Sequence, residues 1–155
     1  MTLVGVVVGL VGAGLTSRLS DRRRHAHERS MRVLDRELDA AIEFRTAADR
    51  LWRTASSADV ANHMLSNAEG NRNEESIQAH RERWSEAAEA RGDAFRKAEA
   101  VFAVIDLLLP ATSKAARDYL DLCDQEDHRT SKQTEREAAK AAFDDALWAA
   151  LKTTR

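Results

Sequence analysis

The sequence predicts an all-α protein: one N-terminal transmembrane helix followed by an antiparallel helical bundle with long, coiled-coil-like helices. Three observations carry that expectation. Residues 1–17 contain no charged side chain and are mostly Val, Leu and Gly, and Arg18, Arg22, Arg23 and Arg24 follow at once. The rest is rich in alanine and charge, with apolar residues recurring three and four apart as a buried helix face requires. Helix breakers are scarce, with one proline (Pro110) and six glycines, of which only Gly70 and Gly92 lie beyond Gly14.

Residues 1–17 reach the lower limit of about 17 apolar residues for a membrane span, and Arg18 can extend it by snorkelling. A secretory signal peptide has its basic residues before the apolar stretch, and here they come after it. A water-soluble helix buried by partners is a third possibility, disfavoured by four glycines and many valines. The positive-inside bias keeps the arginines cytoplasmic, predicting a single pass with the N-terminus outside and the body inside. The same arginines can hold anionic lipid headgroups. Gly5, Gly9 and Gly12 form a strip of small residues on which two spans could pack, giving a homo-oligomer through the membrane helix. The expected organisation is thus an anchor at 1–17, a basic juxtamembrane collar at 18–30 and a cytoplasmic bundle at 31–155.

The first helix of the body starts near Ser20, with an inner stripe of Met31, Leu34, Leu38, Ala41, Ile42, Ala48, Leu51, Trp52 and Ala55. Phe44 falls off the centre of that stripe. The pattern fades at Ser56–Asp59 and breaks at Asn67–Asn73, around Gly70. The second helix runs from about Asn73 to Leu109, with Ile77, Trp84, Arg91, Ala98 and Ile105 seven apart, a spacing that suits antiparallel packing. Arg91 is the one charge on that seam, and its stem can pack while its head escapes. Pro110 ends the helix and can open the next, with Thr112 or Ser113 as caps. The third helix is expected to reach Asp127, the connection to span His128–Ser131, and the last helix to run from Ser131 to Lys152, burying Phe143 and Leu147.

No residue set qualifies as catalytic or cofactor-binding. Asp118, Asp121, Asp124 and Asp127 lie three apart beside Glu126 and His128, and paired carboxylates can hold a divalent cation. The row lies opposite the apolar face, however, where a surface helix carries its charge anyway. His25, His27, His63, His80 and His128 make no i, i+4 pair. Cys123 is alone, excluding an intramolecular disulfide and a cysteine zinc site. The net charge of −2, with the basic excess confined to the collar, argues against nucleic acid as a partner.

The layout resembles that of short actinobacterial membrane proteins of unknown function: a Val/Gly/Leu span, an arginine cluster and a helical cytoplasmic body. Phe44-Arg-Thr-Ala-Ala-Asp-Arg-Leu-Trp52 and Leu107-Leu-Leu-Pro-Ala-Thr-Ser-Lys-Ala-Ala116 carry the likeness. It implies the anchor and the fold and no activity. The expected function is a non-enzymatic, membrane-tethered scaffold for a protein partner. The alternative is a phage- or defence-related membrane effector, holin-like or an exclusion protein.

Overall fold

A computed structural model describes residues 3–71, 74–125 and 130–153, with side chains for residue 28 and for 30–71, 74–125 and 132–153. It is all-α. The elements are α1 (Leu3–Gly70), α2 (Glu74–Leu108), a single 3-10 turn (Pro110–Thr112), α3 (Ser113–Cys123) and α4 (Thr130–Thr153), with no strand among the described residues. The chain divides into Met1–Arg36 and a larger unit, Glu37–Arg155. The expected span at 1–17, its glycines Gly5, Gly9 and Gly12, and Arg18, Arg22, Arg23 and Arg24 lie outside the residues whose side chains are described. Among the described residues no helix is long and apolar enough to cross a membrane.

Within Glu37–Arg155 the helices form an up-down-up-down bundle, and cross-links between neighbours set its register. Glu69 faces Arg81, with α1 and α2 antiparallel. Glu99 and Arg117 pair α2 with α3, and Arg45 meets Asp144 between α1 and α4. The core follows from alanine spacing. Ala41, Phe44, Ala48, Leu51, Ala55 and Ala58 fall three and four apart on α1 and are all buried. Alanine lets the backbones approach closely, and Phe44 fills the space that alanines leave. Its ring lies 5.1 Å from Phe143, 6.2 Å from Tyr119 and 6.3 Å from Phe102. The expected stripe was therefore rotated: Phe44 is central and fully buried, while Met31, Leu38 and Ile42 are exposed.

Two connections end as their residues require. Pro110 lacks an N–H and restricts Leu109, so α2 stops at Leu108 and the chain turns through 3-10 geometry. Thr112 is fully buried there, and its Oγ1 donates to Leu109 O at 2.8 Å. The turn at Gly70 comes where expected, closing with Asn71 N donating to Asn67 O. Beyond this region the bundle thins. No residue of α2 before Ala94 is buried, and on α1 only Ala68 is buried after Ala58.

Candidate functional site: a polar hub and a cleft beside it

Two features stand out in the unit Glu37–Arg155. The first is a polar hub at the α1, α3 and α4 contact, centred on Asp49. Its carboxylate accepts from Tyr119 Oη at 2.6 Å, Lys140 Nζ at 3.2 Å and Arg136 Nη1 at 3.3 Å. Burial opposes the Asp49 charge, yet the Tyr119 and Lys140 hydrogen bonds and the charges of Lys140 and Arg136 hold it below the usual carboxylate range. Arg136 also lies over Trp52, 4.9 Å from the ring centre. Tyr119 is fully buried, and burial together with its hydrogen bond to Asp49 pushes its phenol well above the ordinary value. Cys123 is fully buried and chiefly by desolvation pushed up to about 12. Burial thus favours the neutral forms of both groups. The hub orders three helices. Periodicity could not reveal it, because Asp49, Tyr119 and Lys140 are far apart in sequence and each reads locally as an ordinary helix residue.

The second feature is a cleft of about 430 Å³ between α1 and α2, where α3 ends. Ala58, Asp59 and Asn62 form one wall, and Trp84, Ala88, Arg91, Gly92 and Phe95 form the other. Asp124, the C-cap of α3, lies at its end. Arg91 spans this corner: Nε and Nη2 reach Asp124 Oδ1 at 3.2 and 3.1 Å, and Nη2 donates to Asp124 O at 2.6 Å. The fork thus binds a carboxylate and a helix-terminal carbonyl together, where the helix dipole also favours a cation. The charge on the seam is explained by its partner on α3, which spacing alone did not reveal.

The aspartate row resolves into separate ion pairs. Asp118 accepts from Lys114 at 2.7 Å, Asp121 lies 3.8 Å from Arg117, and Asp124 takes Arg91. Asp127 and His128 lie outside the described residues. Among those described, no group of three His, Cys, Asp or Glu side chains is placed to hold a metal ion. The tryptophans separate too: Trp52 lies under Arg136, Trp84 lines the cleft, and Trp148 is 60% exposed on α4. No family model, curated protein or solved structure matches the chain.

Proposed function

We infer that this protein is a non-enzymatic, membrane-tethered helical module that scaffolds a protein partner at the inner face of a bacterial membrane. Residues 1–17 are the span in this reading, and Arg18, Arg22, Arg23 and Arg24 set its orientation and meet anionic headgroups. The observation that carries it is an uncharged apolar run closed by four arginines on the helix, α1, that also supplies the central stripe of the bundle. Two features of the bundle support an interaction role. Its polar hub is committed to holding helices together, and its exposed apolar residues include Trp84 and Trp148, the kind of side chain that anchors interfaces.

Alkaline-carbonate fractionation of the full chain, followed by protease treatment of spheroplasts, tests this reading. The expected result is retention in the membrane pellet with the helical body protected. Release into the carbonate wash would overturn the tether, and digestion of the body in intact spheroplasts would overturn the orientation.

A further inference from the structure

We propose that the cleft between α1 and α2 is a binding site for a small organic cation, an amine or ammonium compound with an apolar body. The inference rests on residues 58–124 and is independent of the membrane reading.

The body of the ligand is set by the size and the floor of the cleft. At about 430 Å³ it falls within the range of small-molecule sites, roughly 300 to 1,000 Å³. Ala58, Ala88 and Gly92 carry no side-chain atom beyond Cβ, which is what opens the space, and Trp84 and Phe95 add aromatic surface. An apolar body packs on such a lining.

Charge selects the sign of its head. The charged lining residues are Asp59, Asp124 and Arg91, a net of −1. Arg91 is poorly placed to take an anion, because its Nε and Nη2 are engaged by Asp124. Asp59 is the opposite case. It is exposed on the α1 wall and forms no hydrogen bond or ion pair with any described residue. A neutral ligand would take water from that carboxylate and return nothing, whereas a cation supplies its counter-charge. Asn62, one turn along the same wall, adds a hydrogen-bond acceptor.

The chain itself shows what this pairing of ring and carboxylate accepts. Twice it sets an arginine over an aromatic ring and bonds the same guanidinium to an acid on a neighbouring helix. Arg117 lies 3.9 Å from the Phe102 ring centre and donates to Glu99, and Arg136 lies 4.9 Å from the Trp52 ring and donates to Asp49. The cleft repeats the combination with Trp84 and Asp59, and no arginine or lysine of the described residues stacks on Trp84. The Trp84 ring is 40% exposed, so the position of the missing cation is open to a ligand.

The test uses the full chain in a nonionic detergent at neutral pH, with the indole N–H signals of Trp52, Trp84 and Trp148 followed by NMR. Three probes share one ring and differ in charge: 2-phenylethylammonium, 2-phenylethanol and phenylacetate. The expected result is a saturable shift of the Trp84 signal, with the ammonium bound roughly tenfold more tightly than the alcohol and the carboxylate more weakly still. Trp148, 60% exposed, reports indiscriminate stacking and should not saturate with Trp84. Asp59→Asn should weaken the ammonium by about three- to fivefold, as a partly exposed ion pair is worth, and leave the alcohol unchanged. Glu89→Gln removes the same charge from α2 outside the lining and should change neither. Phenylacetate bound as tightly as the ammonium overturns the proposal, as does equal saturation of Trp148. So does equal weakening by Glu89→Gln, since net charge alone would then attract the probe. No Trp84 response to any probe also overturns it and leaves the cleft to a protein segment.

Discussion

Asp49 shows how one carboxylate can fix three helices. Replacing it with Asn keeps the shape but takes the Asp49 charge from Lys140 and Arg136, whose side chains are 20% and 12% exposed, leaving Arg136 with Glu137. A loss of about 2 kcal/mol is expected for Asp49→Asn at neutral pH, from a charge-assisted network partly open to solvent. The pH dependence has a definite sign. The folded-state pKa of Asp49 is lowered, so its contribution is complete above the unfolded value near 4 and is lost as pH falls through the folded value. Urea titrations at neutral pH and below pH 4 should therefore show the gap between wild type and Asp49→Asn closing in acid; a constant gap would refute this. Glu37 gives the opposite case. It is buried, and its Oε2 has no hydrogen-bond partner. Glu37→Leu should raise stability by about 1–2 kcal/mol, because it removes an unsatisfied buried oxygen. A lower urea midpoint for the variant would count against that assignment.

At the scale of the element, what ended each helix was legible where the cause was local. Pro110 stops α2 as its chemistry demands, and α1 ends at Gly70, inside the polar run Asn67–Asn73 where the apolar pattern breaks. The fade at Ser56–Asp59 was not a break. Ala55 and Ala58 stay buried through it, so packing carries α1 on, and the Thr54 and Ser57 hydroxyls are satisfied by carbonyls of the preceding turn. The end of α3 was illegible for the opposite reason. It stops at Cys123 rather than continuing to Asp127, and Asp124 is held as its C-cap by Arg91, 33 residues earlier. Removing that fork should free the end of α3. Arg91→Ala is expected to cost about 1–2 kcal/mol and to speed amide exchange at Leu122–Asp124. Arg91→Lys should rescue only partly, since an ammonium cannot reproduce the planar fork. Full rescue by lysine would mean that charge alone is sufficient.

Across the whole molecule, composition and periodicity determined the class of fold and the number of helices in the body, while the azimuth of the core on α1 needed tertiary packing. Met31, Leu38 and Ile42 outweigh Phe44 in a hydropathy count. The bundle nevertheless buries Phe44, because the alanines at 41, 48 and 55 allow close approach only on that side. The cleft was legible only at Arg91, the one charge on the seven-residue seam of α2. The same uneven burial predicts uneven local stability. Residues 94–108 of α2 include the buried Ala94, Ala98, Val101 and Ile105, whereas 74–93 include no buried residue. Amides of residues 76–90 should exchange at least about tenfold faster than those of 98–105, a difference of roughly 1.4 kcal/mol in opening free energy. Equal exchange along α2 would mean that the α1–α2 hairpin opens no more readily than the four-helix region, and that burial does not set local stability here.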